Sequence, residues 1–370
     1  MKKGKVFYIF FLYLLFIIFY YSCMKGKEKI NEVINKQPIY KDYVDVKKLF
    51  DIDVTQINIF SKEYDFSRFI DFDKNHNLYI LDSYSGTIWV FDTKNGKLIN
   101  KFGKIGQGPS EFEDANRLVI KDDKLFVFQG FFGLKILSLN GNYISQQTIT
   151  IENPLVIKAV GDKFFLLTGK TDRTFTNLEL ILREVDESFS GGKEVWRYKC
   201  PLGLKGPVYW EWLYINKNGN FYYPKENLDK YLISKYDRNG HEILRFGRDY
   251  ELSKYSQKAK EEIRSYFKKA IESGQMIPLE SPPIVRNIFE DLKENIWVVS
   301  GETFEDNLIP EYENTVDIFD KAGRWLCNFK TKLISKNSFF DNGKIFRLLP
   351  INPETYDQFL EVYEIKYLAD

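Results

Sequence analysis

Three features of the sequence predict an all-β chain folded as a six-bladed β-propeller. A β-branched and aromatic run returns six times, as NLYILD from 77, KLFVFQ from 124, KFFLLT from 163, NFYYPK from 220, NIWVVS from 295 and KIFRLL from 344. A tight glycine turn returns with it, as DTKNGK from 92, SLNGNY from 138, DRNGHE from 237 and DKAGRW from 320. An Asn-Gly pair there suits the positive φ of a hairpin. The base spacing is roughly 40–50 residues, stretched by insertions, and four strands per repeat at that spacing are the mark of a propeller. The last repeat is one strand short, which calls for closure by a strand from the N-terminal side.

The N-terminus is separate from this array. MKKGK is basic, and residues 6–23, VFYIFFLYLLFIIFYYSC, are almost unbroken apolar sequence. A charged start, an apolar stretch and a small residue before a cut are the layout of a secretory signal. Ser22-Cys23 at its end resembles the lipobox of bacterial lipoproteins, in which the cysteine becomes the lipid-modified first residue of the mature chain. Tyr20 and Tyr21 depart from the usual lipobox. An uncleaved anchor helix is the alternative reading of the same 18 residues. Either reading exports the chain and ties it to a membrane. Residues 1–22 are thus expected as a signal peptide, 23–42 as a flexible tether and 43–370 as the propeller. Losing residues 1–22 removes Lys2, Lys3 and Lys5 and no acid, lowering the formal net charge of +1 by three. With 53 Lys and Arg against 52 Asp and Glu, no basic excess is available for nucleic acid. Cys200 and Cys327 are the cysteines left beyond Cys23, too few for a disulfide framework, so the core must supply the stability.

The blades follow in order. From Arg68, the strands FIDFD, NLYILD, TIWVFD and KLINKF form blade 1, joined by KNHN, SYSG and TKNG. The last blade, from about Ser335, holds NSFF, KIFRLL and FLEVYEI. Its missing outer strand is expected from VTQINIF, residues 54–60, which would close the ring and remove an exposed edge.

Between blades 1 and 2, KFGKIGQGPSEF (101–112) carries Gly103, Gly106 and Gly108. A dinucleotide loop needs strand, glycines and then a helix. Here a strand, RLVIKD, follows, so the nucleotide reading fails. Gly106, Gly108, Pro109 and Glu111 are expected on the channel face. FGKIGQGPSEF before a strand–turn–strand unit looks like NHL-type six-bladed propellers, most of all the poorly characterised bacterial lipoprotein propellers with a G-x-G-P-x-E-F/Y loop. That resemblance covers roughly residues 43–370 and implies a propeller of the cell envelope, without a settled activity. Between blades 4 and 5, residues 253–275 place Tyr255, Ala259, Ile263, Phe267 and Ile271 at i, i+4 spacing. This predicts an amphipathic helix of about five turns on the same face, as rim packing or as a lid.

Catalysis is limited by residue supply. His76 and His241 are the two histidines, each in a turn on the face opposite the glycine loop, where they read as solvent-exposed. An amidating lyase with NHL-type repeats uses a histidine-bound zinc that this chain cannot build. No G-x-S-x-G occurs. A lactonase-like hydrolase holding Ca2+ is the alternative, with Asp71, Asp82, Asn116, Glu211 and Asn287 as the acids and amides near inner strands. For binding, Arg68, Arg117 and Arg286 stand at inner-strand entrances, with Trp210, Glu211 and Trp212 at the same stage of blade 4. Guanidinium and indole groups around one channel mouth suit an anionic, sugar or peptide ligand. The expected function is a membrane-anchored envelope protein that needs no cofactor and binds a glycan, a peptide or an envelope protein.

Overall fold

A computed structural model describes residues 30–58, 67–130, 133–150, 154–171, 177–201, 213–225, 230–251, 257–266, 284–300, 314–334, 338–349 and 357–368, with a few single positions besides. The described residues form six sheets that repeat one antiparallel order from the channel outward. Two strands precede the array, β1 (Asn31–Asn35) and β2 (Val44–Asp53). Blade 1 holds β3 (Ile70–Phe72), β4 (Leu78–Asp82), β5 (Thr87–Phe91) and β6 (Leu98–Phe102). Blade 2 holds β7 (Ala115–Lys121), β8 (Lys124–Gln129), β9 (Gly133–Ser138) and β10 (Tyr143–Thr148). Blade 3 holds β11 (Val156–Val160), β12 (Lys163–Thr171), β13 (Asn177–Val185) and β14 (Lys193–Pro201). Blade 4 holds β15 (Tyr214–Ile215), β16 (Phe221–Tyr223), β17 (Leu232–Tyr236) and β18 (Glu242–Arg248). Blade 5 holds β19 (Val285–Glu290), β20 (Ile296–Ser300), β21 (Asn314–Phe319) and β22 (Trp325–Thr331). Blade 6 holds β23 (Ser338–Asp341), β24 (Lys344–Leu348) and β25 (Phe359–Tyr367), with β2 outside β25.

The core lies between the sheets. One buried cluster joins blades 6, 1 and 2 through Ile52, Ile80, Phe112 and Phe346, and another joins blades 4 and 5 through Tyr231, Phe246 and Phe319. Each buried aromatic contributes on the order of 2–3 kcal/mol of hydrophobic stabilisation. The glycine turns serve this packing as well as the hairpins. Gly141 in the β9–β10 turn lies on blade 1, where an added Cβ would stand 2.5 Å from the Phe102 ring. Gly323 in the β21–β22 turn meets Phe246 of blade 4 in the same way. The sequence marks these glycines as hairpin residues; their second role is to let each blade close on the outer strand of the one before.

Two expectations are corrected at the N-terminal side. The strand that completes blade 6 is Val44–Asp53, antiparallel to β25, and not residues 54–60. Val54 and Ile57 turn inward and are buried in the core, which is why that stretch reads as more apolar than the strand itself. The true strand is disguised by a bulge between Lys48 and Phe50 that interrupts its alternation. Residues 59–60 lie outside the described residues.

The second correction concerns the tether. From Asn31 onward the chain lies against the ring. β1 runs parallel to β18 as a fifth strand of blade 4. Ile39 N and Tyr40 N then donate to Trp325 O and Leu326 O of β22, at 3.0 and 2.7 Å. Tyr43, 5% exposed, stacks on Tyr40 and meets Tyr367 edge-on. Residues 31–53 are therefore a strap across the outer edges of blades 4, 5 and 6. The expected helix over 253–275 is described as α1 (Gln257–Tyr266), ten residues. The side chains expected to form its apolar face, Tyr255, Ala259, Ile263, Phe267 and Ile271, lie outside the described residues.

Candidate functional site

The two ends of the central channel carry different chemistry. The inner strands all run the same way, so their first residues gather at one end and their last residues at the other. The entrance end holds the arginines singled out in the sequence. Arg68 is the middle residue of a 3-10 turn, Ser67–Phe69, with its guanidinium 4.8 Å from the Phe69 ring centre. Arg117 is buried in β7, and its Nη2 donates to Pro154 O of the blade 3 entrance at 3.0 Å. Arg286 is buried in β19. A buried guanidinium bonded to a backbone carbonyl joins one blade to the next, so Arg117 is a strut and is not presented to a ligand as expected. Trp210, Glu211 and Trp212 lie outside the described residues, as does Cys23.

The glycine loop is likewise bound up in the joint between blades 1 and 2. The Glu111 carboxylate accepts Gly108 N at 3.0 Å and pairs with Lys104 at 2.9 Å. Its pKa is lowered, by the Lys104 bond first and the Gly108 N–H second. Lys135 of β9, buried beneath, donates its Nζ to Gly108 O and Glu111 O. Ser110 Oγ donates to Gly141 O at 3.0 Å, and Phe112 is fully buried with its N–H on Lys104 O. An added Cβ on Gly106 or Gly108 would strike the Glu111 carboxylate. The glycines are there so that Glu111 can curl under the loop. Gly106, Gly108 and Glu111 thus pack against each other and on Lys135 of blade 2, so the loop expected on the channel face is held by its own bonds. Pro109, between them, is exposed.

The other end of the channel holds a cluster drawn from three blades. Asp71, in the middle of β3, has Oδ2 on Ile120 N of blade 2 at 2.8 Å and Oδ1 on Phe72 N at 3.0 Å. Lys158, in the middle of β11, reaches to 3.9 Å from Asp71 Oδ1, with its side chain 48% exposed. His76, in the β3–β4 turn, meets Asp341 at the end of β23 with Nδ1 and Oδ2 2.8 Å apart. Burial raises the Asp341 carboxyl pKa; His76 and Lys158 pull it back, and the Asp71 charge pushes it up. Asp341 thus feels the other three groups, which are themselves drawn together as the pairs His76–Asp341 and Lys158–Asp71. His76 is thereby corrected from a free turn histidine to a half-exposed partner of Asp341. His241 is exposed as expected, on Asp237 of its own turn at 3.1 Å.

The acids and amides proposed for Ca2+ are dispersed. Asp82 is buried and accepts Ser85 Oγ at 2.7 Å and Asn58 Nδ2 at 3.2 Å. Asn116 donates to Gly130 O and Asn287 to Ser338 O. Glu211 lies outside the described residues. Among the described residues, no group of three or more His, Cys, Asp or Glu is placed to hold a metal ion. Cys327 is a buried thiol of β22, pushed up to about 12 by burial; the Cys200 side chain lies outside the described residues.

Lys158 and Asp341 were not singled out in the sequence. The available signal was a single ionisable residue inside an apolar inner strand, in LVIKAV and SFFD. Which blades these residues share a channel with depends on register, which a single sequence does not fix.

The architecture defines the chain as a six-bladed β-propeller. A family described as a 6-bladed beta-propeller matches residues 24–203, just under half of the chain. No curated protein matches the sequence. Among solved structures, the chain is similar to BamB from Moraxella catarrhalis, at 12% identity and a TM-score of 0.31 over 79% of this chain and 83% of that one. It is also similar to the PQQ-bound aldose sugar dehydrogenase from Streptomyces coelicolor, at 10% identity and a TM-score of 0.46 over 87% and 98%. A third similarity is to Sqt1 from Saccharomyces cerevisiae, at 11% identity and a TM-score of 0.35 over 88% and 99%.

Proposed function

We propose that the protein is an exported ligand-binding propeller of the bacterial cell envelope, cut before Cys23 and held on a membrane by lipid on that cysteine. The basic start, the apolar run and Ser22-Cys23 support the anchor. The observation that carries the binding reading is the cluster of Asp71, Lys158, His76 and Asp341 at one end of the channel. The backbone N–H groups on Asp71 fix it as an acceptor, and Lys158 is a long cation with half its surface in solvent. A ligand that brings a carboxylate to Lys158 and hydroxyl or amine donors to the two aspartates fits this arrangement. An acidic sugar or the C-terminal end of a peptide has that chemistry.

A thermal-shift titration tests it, because a ligand of the folded form raises the melting temperature by mass action. The panel is uronic acids, neutral sugars, dipeptides, and Ca2+ with and without chelator. The expected result is a shift with the anionic members that Lys158→Ala removes while the unliganded melting temperature stays the same. A Ca2+ shift reversed by chelator, with no response to the acids, would replace this reading by the lactonase-like one.

A further inference from the structure

The outer strands of blades 1 and 4 are close copies. Residues 95–104 read NGKLINKFGK and residues 239–248 read NGHEILRFGR. Aligned on their turn glycines, Ile99 matches Ile243, Lys101 matches Arg245, Phe102 matches Phe246, Gly103 matches Gly247 and Lys104 matches Arg248. The structure supports the match, since Gly141 stands on Phe102 as Gly323 stands on Phe246.

Their outer edges differ. β18 carries β1 in parallel, with Glu32 opposite Arg245, Val33 opposite Phe246 and Asn35 opposite Arg248. Glu32 lies 3.9 Å from Arg245, and Phe246 is 1% exposed. Among the described residues, no segment pairs with the outer edge of β6. There Leu98 and Ile99 are 46% and 54% exposed, Ile105 is exposed just beyond, and Phe102 is partly uncovered. Four lysines, Lys94, Lys97, Lys101 and Lys104, lie within residues 93–110, which contain no acid.

We propose that the outer edge of β6 receives an extended segment of a partner protein by strand addition, as β18 receives β1. The segment runs parallel to β6, with an acidic residue opposite Lys101 and an apolar residue opposite Phe102. Backbone hydrogen bonds supply the affinity, and the lysines select an acidic, apolar strand over others. The surface is separate from the channel, so the proposal stands without the ligand reading above.

The probe is a synthetic peptide of this chain's own residues 30–36, INEVINK, added in excess to the full chain in detergent. Hydrogen exchange measured by mass spectrometry reports where it binds. The expected result is slower exchange over residues 98–104, weakened about fivefold or more in affinity by Lys101→Glu, and restored when the peptide carries Lys in place of Glu32. No protection of residues 98–104 at millimolar peptide would overturn the proposal. So would protection that ignores the charge at Lys101, or peptide that appears on residues 242–248 by displacing β1. A dimer in which β1 of one copy occupies β6 of another would reassign the edge to a second copy and likewise overturn it.

Discussion

The joint between blades 4 and 5 and the joint between blades 1 and 2 reach the same end from different parts of the chain. In the first, Asn35 of the strap donates Nδ2 to Gly247 O at 2.8 Å and to Gly323 O at 2.9 Å, while its Oδ1 accepts Trp325 N at 3.0 Å. In the second, Ser110 of the glycine loop donates to Gly141 O, the carbonyl equivalent to Gly323 O. One side chain closes three bonds from a segment more than 200 residues distant; the other closes one bond from a loop next door. The difference teaches that a turn glycine seated on the preceding blade leaves a carbonyl to be satisfied, and that any segment within reach can satisfy it. It also explains why the glycine loop has the look of a ligand cradle without being one.

The largest effect that would sharpen this comparison comes from removing the strap. An internal deletion of residues 30–43 takes away β1, Asn35 and the buried Tyr43, and is expected to cost about 4 kcal/mol or more in denaturant unfolding. On the other joint, Phe112→Ala is expected to cost about 3–4 kcal/mol, since the ring is fully buried between blades. A smaller loss would mean that the loop is held on blade 2 mainly by its polar bonds, those of Lys135 and of Ser110 to Gly141 O.

Acid titration separates the edges next. Glu242 of β18 has no counterpart on β6, where Leu98 takes its place. Burial pushes the Glu242 carboxyl up, but Arg245, Ser234 and Lys225 more than reverse this and hold it at about 2. A depressed carboxylate contributes stability that is present above its ordinary pKa and lost as pH falls toward 2. Glu242→Gln should therefore cost about 2 kcal/mol at pH 7 and flatten the acid limb of a stability–pH curve. A parallel drop at all pH values would contradict the assignment. The finest comparison is Asn35→Ala against Ser110→Ala, expected at about 2 and about 1 kcal/mol in thermal unfolding. The two should add, because the joints share no partner.

Much of this molecule was legible in its sequence, and the limits have physical causes. The six strand runs and the turn glycines gave blade number and order, because core packing repeats from blade to blade. The strap was not legible. A strand added through its backbone asks little of its side chains, and in NEVIN only Val33 meets the core. The closing strand was placed ten residues too late because its bulge hides the alternation that 54–60 mimics. At the channel, Arg117 was visible as a residue type, but its bond to Pro154 O depends on a neighbouring blade. Lys158 and Asp341 needed the register of two blades on opposite sides of the ring. The exposed Lys-rich edge of β6 is written in the sequence as KLINKFGK, but its significance depends on the segment that covers the matching strand β18.

Hydrogen exchange across residues 31–43 in the unmodified full chain tests the account most directly. If the strap is part of the ring, the alternate amides of β1 that point at β18, and those of Ile39 and Tyr40, will exchange as slowly as those of β18 and β22, and all will open together. Exchange of these amides at the rate of an unstructured tether, with β18 still protected, would contradict it.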